Sequence, residues 1–173
     1  IILFTIFCSY SLFSFSKPLD AIKFDSNRQP SSETIRISFI GDILIHDALY
    51  QKVIDSKSKD FSQLWPKIIP FFEKADFSYG NLEGPVALGI TSSVKDVGDV
   101  GFTYDKVVYS GTNFLFNYHP KLLEDLLKSG IDIVSTANNH TFDRGSLGID
   151  RTIDALIEKK MAYVGTRKAK TKD

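Results

Sequence analysis

Cysteine is all but absent from this 173-residue chain. Cys8 stands alone, which excludes an intrachain disulfide and any cysteine-based metal centre. Net charge is lacking as well, because 21 Lys and Arg balance 21 Asp and Glu. That balance leaves no electrostatic footprint for nucleic acid, and no basic stripe interleaves with aromatics. The basic residues near the end, from Lys159 to Lys172, read as a solvated face. Methionine occurs once, at Met161, so the chain does not open on an initiator residue and reads as a fragment. Long apolar runs are confined to Ile1–Phe15, too short to span a bilayer as a helix. Ser14-Phe15-Ser16 places small residues at the −3 and −1 positions of a cleavage site before Lys17. Residues 1–16 are therefore expected to be a secretory signal peptide, although a positive n-region is missing; the alternative is an uncleaved membrane anchor. Either form makes the protein exported, to the periplasm, cell surface or medium.

What is present is ordinary globular material, 43% apolar and 24% charged, enough for one domain with a sizeable core. Residues 17–34 are polar, carry Pro18 and Pro30, and read as a disordered spacer. Folded structure is expected from residue 35 to 173. Ile35, Ile37 and Phe39 alternate with polar residues and lead into Ile40-Gly41-Asp42, a strand that stops at Gly-Asp. Ala48–Lys57 reads as helix, and Phe61–Lys74 as helix interrupted by Pro66 and Pro70. Phe77–Gly80 is a second short strand. Gly84–Gly111, rich in Gly, Ser and Val, is an excursion with a hairpin around Phe102–Tyr109. Pro120 suits the first turn of a helix whose stripe is Leu122, Leu123, Leu126 and Leu127, and Gly130 suits its end. Ile131–Ser135 is a third strand. Ile149, Ile153, Leu156 and Ile157 mark one face of a last helix, and Ala162–Gly165 a fourth strand. Strands alternating with helices predict an α/β fold: right-handed crossovers and a mainly parallel sheet with helices on both faces.

Three of these strands end alike, in side chains that can bind a metal. The first ends at Asp42, with His46 and Asp47 just beyond. The second delivers Asn81 and Glu83. The third empties into Asn138, Asn139, His140 and Asp143. Parallel neighbours bring their carboxyl ends to one rim, where ligands of open α/β sheets bind. Carboxylate, amide oxygen and imidazole are donors that a borderline divalent ion accepts. Each group has a plainer reading: Asp42 as a turn residue, His46 as a surface histidine, Glu83 in a solvated loop and the Asn pair as a helix-capping turn. His119, just before Pro120, reads as a helix-entry residue outside the site.

In this order, Phe39-Ile40-Gly41-Asp42, Asn81-Leu82-Glu83-Gly84-Pro85 and Ala137-Asn138-Asn139-His140-Thr141-Phe142-Asp143-Arg144-Gly145 resemble the CapA family. These are bacterial poly-γ-glutamate capsule biosynthesis proteins built on the calcineurin-like metallophosphatase fold. The likeness runs from Ile35 to Thr166, and its specific element is Asn-Asn-His-x-x-Asp-x-Gly. The resemblance implies a site for two divalent ions, Mn, Fe or Zn. Asp42 is then the first metal ligand, Asn81 or Glu83 the second-strand ligand, and Asn139 a ligand of the second ion. His140 is the proton donor or transition-state stabiliser. Asn138 and Asp143 support these groups, Asp143 by orienting His140. His46 lies four residues after Asp42 where the superfamily usually spaces its histidine by two. Further histidines that the superfamily carries in a C-terminal half are not found here, so either the chain is truncated at its C-terminal side, which is the expectation, or the protein lacks a complete two-metal site.

On function the resemblance implies a capsule biosynthesis protein able to hydrolyse a phosphoester when complete, the fragment alone being inactive. The alternative is a non-catalytic cell-surface factor that binds or anchors an anionic polymer at the cell envelope. A plain exported α/β domain without metal is the third reading.

Overall fold

The computed structural model describes residues 34–102 and 114–168. The expected signal peptide, almost all of the spacer and nearly all of the hairpin around Phe102–Tyr109 lie outside these residues. Strand β1 (Ile37–Ile43) leads to helix α1 (Asp47–Ile54), a 3₁₀ turn (Phe61–Leu64) and the one-turn helix α2 (Ile69–Phe72). Then follow β2 (Phe77–Leu82), α3 (Lys121–Lys128), β3 (Ile133–Ser135), α4 (Gly145–Glu158) and β4 (Ala162–Val164). The four strands form one sheet in the order β1-β2-β3-β4, and all three pairings are parallel. The α/β class and the parallel sheet are those the alternation of elements predicts. Among the described residues no helix is long and apolar enough to cross a membrane.

Local chemistry accounts for the boundaries. The segment from Phe61 is shorter in helix than expected, because Pro66 closes the 3₁₀ turn and Pro70 enters only the first turn of α2. Its start is fixed from both sides: Asp60 Oδ1 accepts the Ser62 N–H, and the buried Asp125 Oδ2 accepts the Phe61 N–H at 2.8 Å. Helix α1 stops at Ile54, three residues early, where Ser56 and Lys59 turn the chain. Pro120 caps α3 instead of lying within it, and Gly130 adopts a φ of +90° just after its end.

All four helices send buried side chains into one core with Ile43, Leu82 and Val134: Tyr50 and Val53 from α1, Phe72 from α2, Leu122 and Leu126 from α3, Leu156 from α4. Ile157, placed on the same stripe by its spacing, is exposed instead. The alternating residues of β1 lie elsewhere. Ile37 is 50% and Phe39 72% exposed, and the Phe39 ring is tilted against Tyr79 from β2, with ring centres 5.8 Å apart. The two-sided cover that a parallel sheet requires is thus present on one side of β1 alone among the described residues. Between Phe39 and Asp42 the register slips, so Asp42 comes to face Asn81, and Asn81 in turn faces Ser135. That slip sets the site at the sheet's carboxyl rim.

Candidate metal-binding rim at the strand ends

Asp42 and Asn81 are partners in register, and the Asn81 Nδ2 donates to Asp42 Oδ1 at 2.7 Å. The other end of that amide is engaged too. Asn138 Nδ2 donates to Asn81 Oδ1 at 3.1 Å and to the Leu82 carbonyl at 2.8 Å. Asn138 Oδ1 then accepts the His140 N–H at 3.0 Å, which fixes the loop after β3. His140 Nδ1 lies 2.8 Å from Asp143 Oδ2, and its Nε2 lies 3.7 Å from Glu83 Oε1. Groups from three strand ends therefore form one continuous polar chain, from Asp42 through Asn81 and Asn138 to His140, Asp143 and Glu83.

The carboxylates are strongly asymmetric. Asp42 is held below the usual range, first by the Asn81 amide and then by hydrogen bonding with the Glu83 carboxyl. Glu83 is pushed up, chiefly by burial and then by the hydrogen bond and charge of Asp42. The two carboxyls are thus shifted in opposite directions, as neighbouring like charges are.

Two residues that the sequence reading passed over hold this rim in place. The Tyr118 hydroxyl accepts the Ile45 N–H at 3.2 Å and donates to the Glu83 carbonyl at 2.9 Å, joining the ends of β1 and β2. The Phe116 N–H donates to Asp143 Oδ2 at 2.7 Å, and its ring stands edge-on to both His140 and His46, with centres 4.6 and 5.5 Å away. Asn117 between them is buried and clamps the excursion, accepting from Ala87 N–H while donating to the Ala87 and Ile90 carbonyls. Their one visible signal was the spacing of Phe114, Phe116 and Tyr118 before Pro120. Gly84 makes the close approach feasible. Its φ is +123°, and a Cβ there would meet Phe116 Cβ at 2.8 Å.

Of the residues singled out from sequence, Asp42, Asn81, Glu83, Asn138, His140 and Asp143 meet. His46 precedes α1, exposed, with its ring edge-on to Phe116. Asn139 is exposed at the loop tip, and the linking bonds run through Asn138. His119 lies at the entry of α3, its Nδ1 accepting the Lys121 N–H and its ring stacked on Phe102 at 4.0 Å. Among the described residues no three His, Cys, Asp or Glu side chains converge as a metal cage would require. Carboxylate and amide oxygens with one imidazole are donors that a divalent ion accepts.

A parallel α/β sheet with such a rim defines a class of proteins that bind ligands at their strand ends. The sequence model of the bacterial capsule synthesis protein PGA_cap family matches residues 36–173, and the chain belongs to that family, that of CapA-like capsule biosynthesis proteins. It is similar to the PGA biosynthesis protein CapA of Bacillus subtilis strain 168, with 27% identity over 135 residues. That alignment covers 78% of this chain and 31% of CapA, so the chain spans under a third of the relative's length.

Proposed function

We propose that this chain contributes one half of a metallophosphatase-type dinuclear site, used to hydrolyse a phosphoester during capsule biosynthesis at the cell envelope. The observation that carries the reading is the continuous chain from Asp42 through Asn81 and Asn138 to His140, whose Nε2 faces Glu83 at 3.7 Å. Asp42, with Asn81 or Glu83, would hold one divalent ion, and Asn139 a second, with His46 a further candidate ligand. Mn, Fe or Zn suits this mixed set better than Ca. When bound, such ions supply the positive charge that offsets charge developing on a phosphoryl group. The protein's own part is to position a proton. Asp143 holds His140 Nδ1, which leaves Nε2 toward Glu83 and free to serve as general acid toward a leaving oxygen. An exported protein agrees with this setting, through the apolar segment Ile1–Phe15.

The test is turnover of model phosphoesters by the Mn-loaded, full-length protein. His140→Ala is expected to lower turnover by about 10²- to 10⁴-fold, with bound Mn, measured by elemental analysis, unchanged. Equal turnover by the variant would remove His140 from the chemistry. A second reading, a non-catalytic factor that binds an anionic polymer, is favoured by the donor set, which among the described residues falls short of three converging ligands. Binding of poly-γ-glutamate with no turnover of any phosphoester would select it.

A further inference from the structure

Behind the rim lies a cavity of about 260 Å³, walled by Ile40, Ile43, Leu64, Trp65, Phe72 and Leu126. Among the described residues, Asp42 is the only charged one that lines it. Trp65 spends its indole N–H on Ser129 Oγ at 2.8 Å, so that residue offers no free donor to the cavity. The cavity is open to the surface. Leu49 and Ile68 also line it, and they are 43% and 46% exposed. An apolar void forfeits dispersion contacts along its whole lining. Since a 150 Å³ apolar cavity admits benzene, one of this size takes roughly ten carbon atoms.

Its position ties it to the site. Residues Asp42 to Ile45 line the cavity; Asp42 and Ile43 end the first strand, and Leu44 and Ile45 follow it directly. Asp42 is bonded to Asn81, and Ile45 is joined to Glu83 through the Tyr118 hydroxyl. A molecule with its tail in the cavity therefore brings its head to the rim. We propose that the cavity receives the aliphatic chain of a phosphate ester of a long-chain alcohol. The head-group assignment rests on the phosphoester reading above; the tail site rests on the cavity alone.

Calorimetric titration of the full-length protein with 1-decanol, decyl phosphate and butyl phosphate, each with and without Mn²⁺, tests the two parts separately. Decanol is expected to bind, and both the cavity-filling Leu64→Trp and the mouth variant Leu49→Glu to weaken it at least tenfold. Decyl phosphate with Mn²⁺ is expected to bind at least tenfold more tightly than decanol, and Asp42→Ala to remove that gain. Decanol binding that neither cavity variant weakens overturns the tail site, as does decyl phosphate binding no better than butyl phosphate. Either result leaves the phosphoester reading standing. Chain-length-dependent binding with no gain from phosphate and Mn²⁺ overturns the head assignment and counts against that reading, while the tail site is upheld. Thermal unfolding of each variant, expected within a few degrees of the parent, confirms that lost binding is not lost folding.

Discussion

Replacing Tyr118 by Phe isolates the tie between the first two strand ends. The change removes one oxygen and leaves the ring, so no cavity opens and the packing around Phe116 and Tyr50 is kept. What is lost is a bridge: the Ile45 N–H loses its acceptor and the Glu83 carbonyl loses a donor, both in a buried setting. A buried polar group stripped of its partner costs about 1–3 kcal/mol. Two such groups give a loss of roughly 2–4 kcal/mol, since water can partly reach the rim. For a domain of this size that is a fall in Tm of roughly 5–15 °C. Urea unfolding followed by tryptophan fluorescence, with Trp65 as the single reporter, measures it. The midpoint should drop while the slope m stays constant, because the exposed surface is unchanged. A loss below about 0.5 kcal/mol, the range of ordinary surface substitutions, would show that the hydroxyl does not bridge the strands. Tyr118 is also held neutral by its burial, so the effect should not vary between pH 6 and 9.

Two more perturbations probe other regions. Burial lowers the His119 pKa, against Asp99 and Glu124, which raise it, and with Lys159 and Lys121, which also lower it. The folded state then binds fewer protons than the unfolded one just below pH 6.5, so stability falls on acidification through that window. His119→Asn keeps an acceptor for the Lys121 N–H but cannot titrate, and the difference in urea midpoint between pH 7.5 and 5.5 should be smaller in the variant; an equal difference assigns the dependence to other groups, such as Glu83, common to both chains. On the open face of β1, Phe39→Lys should cost no more than about 1 kcal/mol, the worth of the tilted contact with Tyr79. A larger loss of stability would mean that Phe39 is covered in solution.

Periodicity and turn chemistry act over a few residues, and that range was readable. The alternation before Gly41, the leucine stripe after Pro120 and the glycine at 130 are local commitments of the backbone, and the elements formed where they indicated. The element order then determined a parallel sheet, because a strand, a helix and a further strand have few ways to pack. Three strand endings rich in metal-capable side chains were equally plain. What no local pattern carried was how they are held together. Tyr118 reaches Ile45 across 73 positions, Phe116 reaches Asp143 across 27, and Asn138 reaches Asn81 across 57. These are hydrogen bonds between loops, with no period and no neighbour in the chain to betray them. The register slip that turns Asp42 toward Asn81, and the choice of Asn138 over Asn139 as the linking amide, arise in the same way. Which face of β1 faces water was likewise a tertiary decision. Alternation marks a strand but says nothing of what packs on either side, and only the placement of four helices in one core left Ile37 and Phe39 exposed.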